Sequence, residues 1–203
     1  ASGTGSVAIG YSNTASGNYS TALGLQTTAS GSGSLAKGYQ TIASIDASEA
    51  GGSYSRAYLY GQNSQAYGCF ATAGDAQKSS VVCRGTSTVE TWAPLYIDGS
   101  SVTLNLPNNT TWAAEVHFVG RTSVANGLNA YCVRRALIKR DANAASTALV
   151  GTQQTIGTDN VPSLWNARLT ADTTNGALKL EVTSNGYTTN WVARVELVEV
   201  LKA

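Results

Sequence analysis

The sequence predicts an all-β protein in two parts: a parallel β-roll, or solenoid, over residues 1–80 and an antiparallel β-sandwich of jelly-roll type over residues 81–203. Three observations carry that prediction. From Ala1 to about Ala57 the chain repeats every fourteen residues. A short period with small residues at fixed places is what a solenoid needs, because one coil cannot bury its apolar face until a neighbour stacks on it. Beyond Lys78 apolar and polar residues alternate, the period of a half-buried strand. Composition changes at the same place: most Gly and Tyr precede Lys78, whereas all four Trp and all three Pro follow it.

The repeat is carried by Gly10, Gly24 and Gly38, by Gly3, Gly17 and Gly31, by Ala8, Ala22, Ala36 and Ala50, and by Ala15, Ala29, Ala43 and Ala57, with Ser6, Ser20, Ser34 and Ser48 on the same beat. Each unit holds two short runs, such as residues 6–9 and 13–15, separated by glycines that can take the left-handed conformations of tight turns. That describes two strands per coil. Stacked at about 4.8 Å, such coils need small inward side chains, which the repeated Ala supplies.

These units, SVAIGYSNTASGNY, STALGLQTTASGSG and SLAKGYQTIASIDA, resemble the head repeat of trimeric autotransporter adhesins of the YadA type. The resemblance covers residues 6–47 and implies a narrow roll in a homotrimer, three chains side by side. Past Ala43 the beat weakens, with Ile45 where Gly is expected, although Ser48, Ala50, Gly52 and Ala57 return to phase. Residues 44–80 are therefore read as a degenerate or irregular continuation, ending as a neck. Gly3-Thr4-Gly5-Ser6-Val7-Ala8 and Gly31-Ser32-Gly33-Ser34-Leu35-Ala36 match the dinucleotide fingerprint. They lie two repeats apart with no helical pattern after them, so they are roll turns and not phosphate cradles.

In the second part the alternations are Val102, Leu104 and Leu106; Ala114, Val116 and Phe118; Trp165, Ala167, Leu169 and Ala171; Leu178, Leu180 and Val182; and Trp191, Ala193, Val195 and Leu197. Turn signals separate them at Pro107-Asn108-Asn109, Asn126-Gly127, Thr158-Asp159-Asn160, Asn175-Gly176 and Asn185-Gly186. About eight strands at this spacing argue for a sandwich. The runs TWAAEVHFVGRTS, AYCVRRALIKRD and GALKLEVTSNGYTTNWVARVELVEV resemble a domain at the C-terminal ends of bacteriophage and prophage tail fibre and tail structural proteins, over residues 111–200. The resemblance implies a tail fibre or tailspike.

Other features bound the function. There is no Met, and the repeat starts in phase at Gly3, so further coils are expected before residue 1. No apolar run reaches the ~18 residues of a membrane span, so no membrane insertion is expected. A net charge of +1 gives no electrostatic case for nucleic acid. Arg134, Arg135, Lys139 and Arg140 read as a solvated strand and turn, with an anionic glycan as the functional alternative. Three cysteines, Cys69, Cys83 and Cys132, form no disulfide framework or metal spacing and suit assembly in a bacterial cytoplasm.

Chemistry is sparse. His117, the single histidine, shares a strand face with Glu115; a cross-strand polar contact is the plain reading and an acid–base pair the functional one. No catalytic residue, metal or cofactor is expected. Tyr54, Tyr58, Tyr60 and Tyr67 are the candidate glycan contacts, because Tyr rings stack on sugar faces at little entropic cost; packing at a domain junction is the alternative. Together these lead to a non-enzymatic structural and receptor-binding part of a phage tail fibre or spike, a homotrimer on the virion. It would attach to a bacterial surface polysaccharide or lipopolysaccharide without turnover. The alternatives are a trimerisation or assembly tip, a bacterial trimeric adhesin passenger on the cell surface, and a polysaccharide depolymerase domain.

Overall fold

The structure is a computed structural model describing residues 1–88, 90–123 and 127–202. Two compact units result: Ala1–Val81 together with the stretch from Val198, and Val82–Leu197. Composition assigns the C-terminal stretch to the second unit, whereas it clusters with the first.

In the first unit four coils each contribute a long and a short strand. They are β1 (Val7–Tyr11) with β2 (Thr14–Ala15), β3 (Thr21–Leu25) with β4 (Thr28–Ala29), β5 (Leu35–Tyr39) with β6 (Ile42–Ala43), and β7 (Glu49–Ser53) with β8 (Arg56–Ala57). β9 (Asn63–Tyr67) continues the row of long strands. Pairing is parallel with one repeat between partners, so Ala8, Ala22, Ala36 and Ala50 stand in one line and Ala15, Ala29, Ala43 and Ala57 in another. From Ala15 to Ala57 these alanines are 0% exposed, and they alone make the roll's buried cluster. A methyl group is what fits between two strands of so narrow a coil.

Glycine is required here by close approach more than by turning. A Cβ on Gly24, at φ 123°, would lie 2.1 Å from the carbonyl oxygen of Gly38 in the next coil, and one on Gly17 would lie 2.1 Å from that of Gly31. Of the two rows of tight left-handed turns on the repeat, one takes non-glycine residues, Ser12, Gln26, Gln40 and Tyr54, and the other alternates Gly5, Gly33 and Gly61 with Tyr19 and Ala47. Asn13 ties coils together, donating to the Ile9 and Gly24 carbonyls at 2.7 Å while its side-chain oxygen accepts from the Thr27 amide at 2.9 Å.

The weakening of the repeat past residue 44 does not reach the backbone. β7 pairs with β5, and β9 with β7, in the same register as the earlier coils. Ile45 stands at the glycine place of the repeat, and its carbonyl backs onto Gly31 as that of Gly31 backs onto Gly17. The regular ladder ends only after Tyr67.

The second unit has two sheets. The larger holds the parts of β10 (Ala76–Ser87) and β19 (Thr189–Leu201) that lie in this unit and continues through β13 (Thr110–Thr122), β14 (Asn129–Arg140) and β15 (Ala148–Leu149), with β16 (Gln154–Thr155) also on β14. The smaller sheet places β11 (Ala93–Leu95) and β12 (Leu104–Asn105) along one edge of β18 (Ala177–Thr183) and β17 (Asn166–Asp172) along the other. β13 and β14 form a long hairpin in register from Thr110↔Arg140 to Arg121↔Asn129. Its turn signal at Asn126 lies outside the described residues. Side chains from both sheets meet: the Trp165 and Trp191 rings are 5.5 Å apart, and Arg134 on β14 donates to the Ala167 carbonyl on β17 at 2.9 Å. Trp112, Phe118, Leu169, Leu180 and Trp191 are fully buried. The Val102, Leu104 and Leu106 alternation marks β12, whereas β15 and β16 are too short for one.

The basic cluster needs correction. Arg134, read as solvated, is 3% exposed and grips Asp159 with both terminal nitrogens at 2.7 and 2.6 Å. Hydrogen bonding to Asp159 raises the guanidinium pKa further against the opposing effect of burial. Arg140 is half-buried and donates to the Leu106 carbonyl at 2.6 Å. Only Arg135 of the pair at 134–135 faces solvent, because adjacent strand residues point to opposite faces.

Candidate functional site

The four candidate tyrosines do not form one surface. Tyr54 belongs to the left-handed turn row and meets Tyr39 edge-on at 5.2 Å. Its hydrogen bond with Tyr39, with some burial, holds the Tyr54 phenol above its ordinary pKa. Tyr58 turns inward and donates its hydroxyl to the carboxylate of Glu199, which is 2% exposed and also takes the Ser79 hydroxyl and the Gln77 amide. Gln62 and Gln77 close this polar knot, Gln62 accepting from the Tyr58 and Leu59 amides and Gln77 from the Arg56 amide. A buried carboxylate surrounded by donors keeps its hydrogen bonds where water cannot reach. Tyr58 is therefore structural glue within the first unit.

Tyr60 and Tyr67 remain outward, Tyr67 as the last residue of β9 with its hydroxyl accepting from Gln65 at 2.6 Å. Tyr67 is 81% exposed and Phe70 is 74% exposed, and they border an open apolar cleft of about 450 Å³ with Val198 and Val200. Just beyond, Asp75 is held below its usual pKa. Burial pushes it up, but the backbone amides of Thr72, Ala71 and Phe70 outweigh that.

In the second unit the β13–β14 hairpin joins both readings of His117. Nε2 contacts the Glu115 carboxylate at 2.9 Å along the same strand, and Nδ1 contacts the Tyr131 hydroxyl at 3.0 Å across to the next. Arg135 donates to the second Glu115 oxygen at 2.5 Å. Glu115 lies below its ordinary pKa because of Arg135 first and His117 second. This carboxylate–imidazole–phenol chain can relay a proton, and its members are a quarter to a half exposed. Spacing reveals Glu115 with His117; Tyr131 enters only through the hairpin register, in which Tyr131 faces Val119.

Among the described residues no three His, Cys, Asp or Glu side chains converge as a metal site. Cys69, Cys83 and Cys132 are free thiols. Burial pushes Cys83 up to about 12 and Cys132 up to about 11, so both are inert as nucleophiles. The two fingerprint-like glycine stretches lead into β1 and β5, strands of the roll.

The YadA head domain repeat matches residues 1–27 in two copies. Among solved structures the chain is similar to tailspike protein gp49 from Acinetobacter baumannii bacteriophage Fri1, a capsular polysaccharide depolymerase. Identity is 8% and TM-score 0.37, over 95% of this chain and 36% of that one. It is also similar to the tailspike protein of Acinetobacter baumannii phage AM24, at 10% identity and TM-score 0.34, over 97% of this chain and 48% of that one. A third is the tailspike protein of Acinetobacter phage vB_ApiP_P1, at 7% identity and TM-score 0.31, over 97% of this chain and 47% of that one. The chain thus spans between a third and a half of the length of these structures. No curated protein matches it. The expectation of a non-enzyme stands corrected by this comparison, since gp49 is a depolymerase. That expectation rested on the sparse chemistry of the sequence, in which His117 with Glu115 was the one acid–base alternative.

Proposed function

We propose that this chain is an attachment part of a phage tail fibre or tailspike. In this reading three copies pack through their rolls and the assembly holds a bacterial surface polysaccharide. The roll acts as a stiff spacer, and the two sheets of the second unit stack as a sandwich that presents binding surface. One observation carries the reading. One register line on the outside of the roll carries apolar side chains in most coils, with Tyr11 74%, Leu25 39% and Tyr67 81% exposed. A row of exposed apolar residues of this kind marks an association surface. Three linked copies turn weak single contacts into firm attachment, since the second and third binding events become intramolecular. The match of residues 1–27 to the YadA head repeat supports the same mode of packing. A bacterial trimeric adhesin shares that roll and is the second reading.

The test combines mass and binding. Light scattering gives the number of copies, and incubation with a panel of bacterial cells and extracted surface polysaccharides reads attachment and polymer length together. A trimer that decorates particular strains is the expected outcome, and shortened polymer would add catalysis to attachment. A monomer that decorates no strain would overturn the reading.

A further inference from the structure

The edge of the smaller sheet is interrupted. Leu95 of β11 pairs with Leu180, and Leu104 of β12 pairs with Leu178, so nothing on that edge faces Lys179. Between the two short strands the chain leaves the sheet through residues 96–103, a loop fixed by Asp98. Its Oδ1 accepts from the amides of Ser100, Ser101 and Val102, each at 2.9 Å. The break opens a cavity of about 200 Å³, lined on its polar side by Tyr96, Thr103, Asp172, Asn175 and Lys179, with Leu178 below. That is smaller than the roughly 300–1,000 Å³ of pockets for drug-sized ligands and suits a single ring.

We propose that this cavity binds one neutral hexose unit of the surface polysaccharide, an inference that rests on the attachment reading above. The donor and acceptor set matches vicinal hydroxyls. The Asp172 Oδ2 takes the Asn175 side-chain amide at 2.8 Å, which fixes that side chain and leaves lone pairs on Oδ2 for a hydroxyl. Oδ1 is occupied by the amides of Thr174 and Asn175 at 2.9 and 3.0 Å, so the carboxylate is rigid. Lys179 gives one of its three protons to Glu181 at 2.9 Å and keeps two. Tyr96, half-buried at the cavity wall, offers its ring to the C–H face of a sugar and its hydroxyl to a ring hydroxyl. Charge decides the ligand class: Glu181 pairs with both Lys179 and Arg168, and Asp172 stays ionised because hydrogen bonds from Asn175 and Thr174, with Lys179 nearby, outweigh its burial. The two cations and two carboxylates cancel, so the site offers no uncompensated cation to a uronate and favours a neutral ring.

The experiment follows backbone and side-chain amide shifts of the full chain during titration with methyl glucoside, methyl galactoside, methyl mannoside and methyl glucuronide. Cell decoration by the same preparation is measured in parallel. A neutral glycoside is expected to shift the Asn175 side-chain amide and the Lys179 amide. Tyr96→Phe and Asn175→Ala are expected to weaken that binding and polysaccharide binding about tenfold, each losing hydrogen bonds to the ring. Tyr96→Phe removes a single oxygen and keeps the protein folded should Asn175→Ala disturb the turn. Decorated cells with no shift at these amides, or equal binding of the glucuronide, would overturn the hexose site and leave the attachment reading standing. Failure to decorate any cell would remove the attachment reading, and this inference with it.

Discussion

The roll and the second unit solve the same problem, burying strands with few helical contacts, by opposite means. In the roll every strand meets the residue fourteen places away, and what fits there is set by backbone proximity: alanine inside, and glycine where carbonyls back onto the next coil. In the second unit the partners are distant and the interior is filled by large rings and one buried ion pair. The first design tolerates no added atom at its contact points; the second tolerates no removed one. The comparison also separates the polar groups: in the first unit they converge in the closed knot around Glu199, whereas the broken edge and the hairpin of the second unit leave theirs partly exposed.

The sharpest way to break this contrast is Gly24→Val. Its Cβ would meet the Gly38 carbonyl at 2.1 Å in a left-handed conformation that itself costs roughly 1–2 kcal/mol, so the roll's cooperative thermal transition by circular dichroism should be lost. Next in size is Trp191→Ala, expected to destabilise the second unit by about 3–5 kcal/mol through the cavity beside Gly120 and Trp165. All four Trp lie after Lys78, so tryptophan fluorescence in denaturant reads that loss without interference from the roll. Asp159→Asn should cost the same unit about 3 kcal/mol, since Arg134 would be left charged and buried. Gly33→Ala should cost the roll only about 1 kcal/mol, because nothing lies within 4 Å of its added methyl and only the φ of 63° opposes it.

Acid offers the gentlest probe. Glu181 is pushed up by burial, but Arg168, Lys179 and Thr170 outweigh this and its pKa is lowered; those of Asp172 and Glu115 are lowered too. A folded pKa below the unfolded one contributes stability that is present above the unfolded carboxylate range, around pH 4, and is lost as pH falls through the lower folded value. In the roll unit Asp75 shows this behaviour. Unfolding at falling pH, read by tryptophan fluorescence for the second unit and by circular dichroism for the roll, should therefore show the second unit weakening more than the roll below about pH 4. Equal weakening of both would show that these carboxylate contacts do not dominate.

The roll was legible almost residue by residue. Ala22 and Ala36 announce their own contact because both occupy the same place in consecutive repeats, and the period alone gives the register. The loss of consensus at Ile45 misleads, since the strands on both sides of it keep the register of the earlier coils. The tyrosines mislead for another reason: residue type says what a ring can do but not where it points. Tyr58 therefore reads like Tyr67 although one faces Glu199 and the other water.

What the sequence determined by itself was the all-β class, the fourteen-residue coil and the small-residue interior, because those depend on neighbours at a fixed separation along the chain. Tertiary structure alone decided that Arg134 is buried against Asp159, that Tyr131 completes the Glu115–His117 chain, and that the gap between Leu95 and Leu104 opens beside Lys179. Each of these joins residues of separate strands, and strand pairing across a sheet follows from the packing of the whole unit, which no local period encodes.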